Sequence, residues 1–316
     1  MLHKIFIDGR EGTTGLKIDE YLKSRKDIEI LHIAPEKRKD LQERIKFAKK
    51  ADVTFLCLPD IASKELVENL PKKVKIIDAS TAHRTNPDWV YGLPELAPNQ
   101  REKIKATTRI AVPGCHASGF ILLVKPLIEN GILNRDYPFS CTSITGYSGG
   151  GKNMIAEYEN QTSKNIALSS PRQYGLMQTH KHLPEMMKIT DITEPPIFTP
   201  IVANFFNGML VSIPIKLNLL KKNPNQPNLN EIKEIYKSYY KNQPMIQIVE
   251  DAMEIENGFL CANALANRND VEIFIYGNED RMILSARYDN LGKGASGAAV
   301  QCMNILLGIE ETTGLV

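Results

Sequence analysis

The sequence predicts an α/β protein in which a Rossmann-type, doubly wound parallel sheet domain is followed by a second α+β domain with a mixed, largely antiparallel sheet. Short β runs and helical stripes alternate over roughly the first 115 residues, and short connections join them, as in repeated β-α-β units. After about residue 135 the β runs lengthen, which indicates the second domain. The 316 residues suit about two domains.

The first domain is predicted from β runs and helical stripes in alternation. The run over residues 53–58 is almost continuously apolar, which is typical of a strand with both faces covered. The helical stripes repeat apolar residues at the spacing of one helix face. In chain order, the β runs cover residues 4–8, 28–33, 53–58, 74–77 and 110–112, and the stripes consist of Ile18, Tyr21 and Leu22, of Leu41, Ile45 and Ala48, and of Leu66, Val67 and Leu70.

The second domain is predicted from longer β runs, which cover residues 140–144, 209–217, 271–276 and 282–286. Residues 190–208 and 221–230 are rich in proline, asparagine and threonine, so we expect them to form loops. A final helix is expected to begin near Ser296. Its apolar face consists of Ala299, Cys302, Met303 and Leu306.

The composition narrows the class of protein and its compartment. The net charge of +2 does not indicate nucleic acid or an acidic membrane surface as a partner. No apolar run approaches the roughly 18 residues of a membrane span, and the N-terminal apolar run is too short for a secretory signal core. The five cysteines are widely spaced and form no C-x-x-C pair. We therefore expect reduced thiols and a cytoplasmic protein.

A glycine-rich turn follows the first β run and opens the first helix. Its sequence is DGREGTTG, with Gly9, Gly12 and Gly15 spaced G-x-x-G-x-x-G. Glycines allow a tight turn and a close approach to a pyrophosphate, which the N–H groups of the helix N-terminus then bind. The spacing departs from G-x-G-x-x-G, so a plain strand-to-helix turn is the alternative. The position ahead of repeated β-α units favours a dinucleotide site.

The end of the second β run indicates which dinucleotide would bind. NAD sites usually have an acidic residue there, which binds the ribose hydroxyls. Here the chain continues HIAPEKRK, with no acid at the strand end and three cations, Lys37, Arg38 and Lys39, soon after it. The cations favour the 2′-phosphate of NADP, which Arg10 of the glycine turn could also reach. A solvated, basic helix start is the alternative.

Cys115 lies where the last β run of the first domain gives way to a helix. The strand is expected to end at Val112 and the apolar helical stripe to start at Phe120, with Pro126 predicting a kink or a break further on. A thiol near a helix N-terminus has a lowered pKa, and N–H groups of the same turn can hold an oxyanion. A small buried hydrophobe is the alternative. The C-terminal end of a parallel strand is where α/β sheets bind ligands, which favours a nucleophile.

Two histidines could act as the base for this thiolate. The stretch THKHLPEM places His180 and His182 ahead of a helical start, although histidines also have structural roles. An H-x-H pair can also bind a metal, but no third ligand is evident, so we expect no metal site. His116, beside the cysteine, is a weaker candidate for the base.

Ordered motifs run along the chain from end to end. They are GREGTTG (9–15), DASTAHR (78–84) with YGLPEL (91–96), VPGCHASGF (112–120), GYSGGGK (146–152), HKHLPEM (180–186) and DNLGKGASGAAVQCMN (289–304). Together they resemble the N-acetyl-gamma-glutamyl-phosphate reductase family. The resemblance is to its shorter form, because Val-Pro-Gly-Cys followed by His116 stands where longer relatives have Asn-Pro-Gly-Cys followed by Tyr. The wider superfamily includes aspartate-semialdehyde dehydrogenase.

The resemblance implies an NADP-dependent phosphorylating semialdehyde dehydrogenase of arginine biosynthesis, which reduces N-acetylglutamyl 5-phosphate to the 5-semialdehyde. In the implied mechanism, the Cys115 thiolate attacks the acyl phosphate and expels phosphate, and NADPH delivers a hydride to the resulting thioester. His180 or His182 manages the protons, and we prefer His180.

The resemblance also implies the domain organisation and the remaining site residues. Residues 1–114 would form the NADP-binding domain, completed by a C-terminal helix within 293–316, and residues 115–292 the catalytic, substrate and oligomerisation domain of a homodimer or homotetramer. The expected cofactor-binding residues are Gly9, Arg10, Glu11, Gly12, Thr13, Thr14, Gly15, Lys37, Arg38, Ser80, Asn290 and Gly292. The expected substrate-binding residues are Arg84, Ser148, Gly149, Lys152 and Arg172. Alternatively, Arg84, Lys152 and Arg172 are surface cations, and residues 148–150 form an ordinary turn.

Three alternative functions are left open. The same chemistry could act on aspartyl or aminoadipyl phosphate, because one sequence does not show the shape of a pocket. A non-catalytic NADP-binding regulator would be expected to lose the thiol or the base, and this chain retains both. A thiol hydrolase without a cofactor conflicts with the glycine turn and with the basic end of the second β run.

Overall fold

The computed structural model describes residues 2–160, 165–221, 227–250 and 256–315. The chain divides into two compact units. The first consists of Met1–Gly114 and Ala295–Val316, and the second of Cys115–Gly294. The first unit carries a parallel sheet and the second a mixed sheet, so the predicted fold class is confirmed.

Strands and helices follow one another in both units. The strands are β1 (His3–Asp8), β2 (Ile28–Leu31), β3 (Val53–Leu56), β4 (Ile76–Asp78), β5 (Val90–Tyr91), β6 (Arg109–Ala111), β7 (Ser140–Gly146), β8 (Arg172–Gln173), β9 (Ile197–Ala203), β10 (Met209–Lys216), β11 (Ile246–Val249), β12 (Val271–Gly277) and β13 (Arg281–Tyr288). The helices are α1 (Thr13–Leu22), α2 (Leu41–Lys50), α3 (Asp60–Glu68), α4 (Gln100–Ala106), α5 (Cys115–Glu129), α6 (Gly151–Glu159), α7 (Leu183–Thr190), α8 (Leu229–Tyr239) and α9 (Gly297–Leu307). Within the described ranges, no helix combines the length and the apolar character needed to cross a membrane.

The sheet of the first unit is parallel throughout, in the order β2-β1-β3-β4-β6-β5. The strand order reverses between β1 and β3, and open α/β sheets bind ligands beyond the carboxyl ends of the strands at such a point. All of β3 is buried, as its apolar run predicted. The sequence did not indicate β5, because two residues at a sheet edge are too few to form a pattern.

Helix α9 belongs to the first unit, where it packs on α1, α4 and β4. Nearly all of its residues are buried. Polar contacts add to this packing: Arg25 Nη1 donates to Asn304 Oδ1 (2.6 Å), and Arg101 pairs with Glu311, which follows the helix (2.9 Å). Segments from the two ends of the chain therefore share one core.

The sheet of the second unit has the order β11-β12-β13-β10-β7-β9-β8. The pairs β11–β12 and β7–β9 are parallel, and the other pairs are antiparallel. Helix α5 packs on β10 and β13, and α8 packs on β12. The functional helix α5 thus rests on the centre of this sheet.

The prediction of a loop over residues 190–208 is wrong, because β9 lies within it and pairs with β7. Proline cannot donate to a strand ladder, so Pro200 concealed the strand from its sequence pattern. The fold accommodates Pro200 next to the two-residue strand β8, and its carbonyl oxygen accepts from the backbone N–H of Tyr174 (3.0 Å).

The second predicted loop, over residues 221–230, is also wrong at its end. Residues 229 and 230 form the start of α8, which Asn228 caps by accepting from two backbone N–H groups of the first turn. Residues 222–226 lie outside the described residues. The asparagine-rich stretch therefore includes the N-terminal cap of α8.

Helix α5 continues through Pro126, so of the kink or break predicted there the break does not occur. Proline lacks the N–H that would bond to the carbonyl oxygen of Leu122. That oxygen accepts instead from the hydroxyl of Tyr240, the residue after α8 (2.7 Å). The carbonyl oxygen of Leu123 accepts from the Tyr236 hydroxyl. Tertiary contacts thus satisfy the backbone groups near the proline.

Candidate active site

The glycine turn of the first unit fits a pyrophosphate. Gly9 has a φ of +80°, and a Cβ atom there would overlap the carbonyl oxygen of Cys57, so only glycine fits. Helix α1 begins at Thr13, and no described side chain caps its first turn. The Thr13 hydroxyl is buried, and no described residue bonds to it. Uncapped N–H groups and a buried hydroxyl at a helix N-terminus suit an anionic ligand.

Cations stand around this turn, as expected for a 2′-phosphate. Arg38 pairs with Glu11 of the turn (3.4 Å). Arg10 pairs with Asp19 (2.7 Å) and contacts His32 Nδ1 (3.0 Å). His32 follows β2 directly, at the position where NAD sites have an acid. We did not single out His32 from the sequence, although its place at the strand end was a usable signal.

The other cofactor residues expected in the first unit lie near these groups in the chain. Gly12 is the cap of α1, and Thr14 and Gly15 lie in its first turn. Lys37 ends a short 3-10 helix and lies 3.9 Å from a carboxylate oxygen of Glu43. This contact is longer than the one between Arg38 and Glu11. Lys37 stays a predicted ligand of the 2′-phosphate.

Asp78 organises the loop that contains Ser80. Its fully buried carboxylate accepts from the Ser80 backbone N–H (2.9 Å) and hydroxyl (2.8 Å), and from the Ser63 hydroxyl (3.1 Å). The same carboxylate lies 2.6 Å from His83 Nδ1. The Ser80 hydroxyl proton is therefore used within the chain, and its oxygen retains acceptor capacity.

Arg84 lies in the first unit, where it bonds to the backbone beyond two strand ends. Its Nε donates to the carbonyl oxygen of Val112 (2.9 Å), and its Nη2 to that of Ala79 (3.2 Å). These bonds tie two strand ends of the parallel sheet together. A role in binding substrate stays a prediction.

Cys115 is the first residue of α5, and it is half-buried. A helix N-terminus favours the thiolate form of a cysteine. The Cys115 carbonyl oxygen accepts from the Tyr288 hydroxyl (2.6 Å). A Cβ atom at Gly294 would lie 3.1 Å from the Cβ of Cys115, so any larger residue at 294 would crowd the thiol.

His116 is buried beside the thiol, with both ring nitrogens engaged. Its Nδ1 lies 2.6 Å from the Ser143 hydroxyl, and its Nε2 lies 2.7 Å from the Tyr174 hydroxyl. Burial, followed by the charges of His180 and Lys181, lowers the pKa of His116 to about 3. The ring is therefore neutral and poorly placed to accept a proton from Cys115.

His180 and His182 lie in one cluster with His116. The centroid of the His116 ring is 5.5 Å from each of their rings, and their own centroids are 4.7 Å apart. Phe198 packs against His116 (5.3 Å) and His180 (5.1 Å). The fold thus brings both predicted histidines to the residue after Cys115.

A closed ring of hydrogen bonds joins residues expected to bind different ligands. Asn290 Nδ2 donates to Ser148 Oγ (2.9 Å), and Ser148 Oγ donates to Asn207 Oδ1 (2.9 Å). The backbone N–H of Gly208 donates to Asn290 Oδ1 (2.9 Å), which completes the ring. All three side chains are buried. The Ser148 hydroxyl proton is therefore donated within the protein, and a contact between Ser148 and substrate stays a prediction.

Gly149 and Gly292 flank this ring. Gly149 is exposed and lies in a short 3-10 helix, Tyr147–Gly150. The Gly292 N–H donates to Asp289 Oδ1 (2.9 Å), and a Cβ atom at Gly292 would overlap the carbonyl oxygen of Arg268. Gly292 is thus required for packing, whether or not it also approaches the cofactor.

Lys152 and Arg172 are both associated with α6. Lys152 is exposed in the first turn of that helix. Arg172, in β8, donates to the Tyr158 hydroxyl (3.1 Å) and to Glu157 (3.3 Å). Lys152 therefore lies closer than Arg172 to a helix N-terminus, where an anion would bind. Among the described residues, no group of three or more His, Cys, Asp or Glu side chains could hold a metal ion.

Comparisons with known proteins place the chain in a family. Residues 4–106 match the semialdehyde dehydrogenase NAD binding domain, and residues 115–290 match the semialdehyde dehydrogenase dimerisation domain. The chain belongs to the semialdehyde dehydrogenase family. Its first unit therefore carries a domain for a nicotinamide cofactor, and its second unit a domain for association between subunits.

Full-length relatives confirm the resemblance that the motifs predicted. N-acetyl-gamma-glutamyl-phosphate reductase 2 of Nostoc sp. is 45% identical, over 99% of both chains. N-acetyl-gamma-glutamyl-phosphate reductase of Brucella ovis is 41% identical, over 98% of this chain and 100% of the relative. Aspartate semialdehyde dehydrogenase from Francisella tularensis has a TM-score of 0.72 at 15% identity, covering 97% of this chain and 100% of its own. At that identity the likeness shows the fold alone.

Sequence reasoning missed several residues of the second-unit site. Tyr288 precedes the DNLGKG motif, Tyr174 lies six residues before His180, and Asn207 lies in the turn between β9 and β10. Single tyrosines and asparagines have no periodicity, so only their contacts reveal them.

Proposed function

We propose that the chain catalyses the NADPH-dependent reduction of N-acetyl-L-glutamyl 5-phosphate to N-acetyl-L-glutamate 5-semialdehyde and phosphate, in arginine biosynthesis. One observation carries the chemistry: a half-buried cysteine begins a helix, and its buried neighbour His116 lies in one cluster with the half-buried His180 and the buried His182. Relatives named as reductases of this substrate, at 41–45% identity, support the choice of acyl phosphate. We assign NADP binding to the first unit, and catalysis and oligomerisation to the second.

Acyl transfer to Cys115 begins the reaction. The thiolate attacks the acyl carbon, so a C–S bond forms while the bond from that carbon to the phosphate oxygen breaks and phosphate leaves. The N-terminus of α5 stabilises the thiolate before the attack. The exposed backbone at Gly149, with Lys152 in the first turn of α6, offers donors for the anionic groups of the substrate.

His180 acts as a hydrogen-bond donor. The backbone N–H of His182 donates to His180 Nδ1 (3.2 Å), so the neutral ring carries its proton on Nε2. An Nε2–H group can stabilise the negative charge that develops on the substrate oxygen. This arrangement refines our preference for His180 as the residue that manages protons.

Most of the residues that would hold NADPH lie in the first unit, and the other two, Asn290 and Gly292, lie in the second. The turn from Gly9 to Gly15 would bind the pyrophosphate, and Arg10, His32 and Arg38 the 2′-phosphate. When bound, the cofactor supplies the hydride that converts the thioester to the aldehyde.

Replacing Arg38 with alanine is expected to raise the KM for NADPH by about 10- to 100-fold, because a hydrogen bond to a charged group contributes about 1.5–3 kcal/mol. The KM for NADH should stay within about twofold, since NADH lacks the phosphate. Steady-state kinetics with NADPH and with NADH measure the two KM values. Lys49→Ala, at an exposed cation in the last turn of α2, is the control. An equal loss with both cofactors would remove Arg38 from the phosphate site.

The substrate is tested by phosphate-dependent reduction of NADP with three aldehydes, the semialdehydes of N-acetylglutamate, aspartate and aminoadipate. We expect activity with the first and dependence on phosphate. Activity with only the semialdehyde of aspartate or of aminoadipate would support the same mechanism but place the enzyme in another pathway. Tight NADP binding without activity on any aldehyde would favour a regulator, and hydrolysis without cofactor a thiol hydrolase.

We propose that the chain forms a homodimer or homotetramer through the second unit. Val211 lies against α5, so its neighbour Leu210 points to the opposite face of the sheet. On that face Leu210 stands opposite Ile144, which stands opposite Ile201, and all three are only partly buried. The match to a dimerisation domain supports this assembly. A cytoplasmic location is proposed because the reaction needs a reduced thiol, and none of the five cysteines, all within the described residues, forms a disulfide.

A further inference from the structure

A tyrosine hydroxyl lies against the first turn of the helix that begins at Cys115. In that turn the N–H of Gly119 bonds to the carbonyl oxygen of Cys115, four residues earlier. The Tyr288 hydroxyl also donates to that oxygen (2.6 Å) and accepts from that N–H (2.9 Å). The hydroxyl thus contacts both groups that close the turn.

The surroundings hold this hydroxyl in place. Tyr288 ends β13 and is fully buried, so its ring is fixed by packing. Burial, and to a lesser extent the nearby Cys115, raises the pKa of the Tyr288 hydroxyl well above its usual value, so it keeps the proton that it donates. A Cβ atom at Gly119 would lie 2.6 Å from the hydroxyl oxygen, so this position requires glycine.

We propose that Tyr288 is a positioning residue for the nucleophile Cys115, an assignment that rests on the function proposed above. The two hydrogen bonds tie the first turn of α5 to the end of β13, and so fix the position of Cys115. Without the hydroxyl, the turn keeps its helical bond but loses this tie, so the thiol is displaced. A displacement of about 1 Å at a reacting group can lower the rate by about 100-fold.

The test compares Tyr288→Phe with Tyr240→Phe in a Cys261→Ser background, which removes an exposed thiol. Tyr240 is the matched control, because it is also buried and its hydroxyl also donates to a carbonyl of α5, that of Leu122, two turns from the thiol (2.7 Å). Two readouts are needed. One is the rate of alkylation of Cys115 by iodoacetamide across pH, with mass spectrometry to identify the modified thiol. The other is kcat and KM for reduction.

We expect Tyr288→Phe to lower both the alkylation rate and kcat by about 10- to 100-fold, with each KM within about twofold of the wild type. Tyr240→Phe should leave both rates within about twofold while lowering the melting temperature to a similar extent. Unchanged rates in Tyr288→Phe, or equal changes in both variants, would overturn the proposal and leave Tyr288 a structural residue. Alkylation needs no substrate, so a chain that alkylates as expected but reduces none of the acyl phosphates would overturn the proposed function instead.

Discussion

Replacing Cys115 with serine is expected to lower the phosphate-dependent reduction of NADP by about 10⁴-fold or more, as the loss of a catalytic nucleophile does in other enzymes. A serine hydroxyl stays protonated where a helix N-terminus would favour a thiolate. His116 cannot rescue it as a base, because both of its ring nitrogens are hydrogen-bonded and its pKa is about 3. The measurement is NADPH formation from N-acetylglutamate semialdehyde with and without phosphate.

The control for this variant is Cys261→Ser, at an exposed cysteine, which should keep wild-type activity. NADPH fluorescence should show unchanged cofactor affinity in Cys115→Ser, since Cys115 is not among the residues proposed to bind NADPH. Full activity in Cys115→Ser would make Cys115 a buried thiol without a chemical role, and the thioester mechanism would be wrong.

Replacing His180 with alanine is expected to lower kcat by about 100- to 10,000-fold, the range found for groups that stabilise charge or move protons in a transition state. His180→Gln should retain activity within about tenfold of the wild type. A glutamine places an N–H donor near the position of Nε2, and the hydrogen bond from the His182 backbone shows that Nε2 is where the neutral ring carries its proton.

Steady-state kinetics across pH distinguish a donor from a base at this position. A base must take up a proton, which glutamine cannot do, so equal losses in the alanine and glutamine variants would assign proton uptake to His180. The same pair of variants at His182 provides the comparison, because its side chain can be changed while its backbone N–H still donates to His180.

Much of the fold could be predicted from local patterns. The apolar run at 53–58 indicated a strand with both faces covered, and β3 is fully buried. The helix expected near Cys115 begins at that residue. These features depend on neighbouring residues in the chain, so periodicity and the local chemistry of glycine and proline were sufficient to indicate them.

Local patterns failed where a distant segment satisfied a backbone group. Pro200 argued against a strand, yet the fold seats it beside a two-residue edge strand. Pro126 predicted a kink or a break in α5, yet the helix continues through it. The hydroxyl of Tyr240 donates to the carbonyl oxygen of Leu122, which the proline leaves without a donor. In both cases the tertiary partner lies far away in the chain, so a local stretch of sequence could not predict how the backbone group is satisfied.

By itself, the sequence determined the fold class, the family motifs and the residues with chemical potential: the glycine turn, Cys115 and the His180–His182 pair. Only the tertiary structure decided how those residues are held. It placed a backbone N–H donor on His180 Nδ1, occupied both nitrogens of His116, and brought the hydroxyl of Tyr288, 173 positions along the chain, to the first turn at Cys115. The physical reason is that residue type supplies the chemistry, whereas hydrogen-bond direction and burial depend on neighbours that only folding brings together.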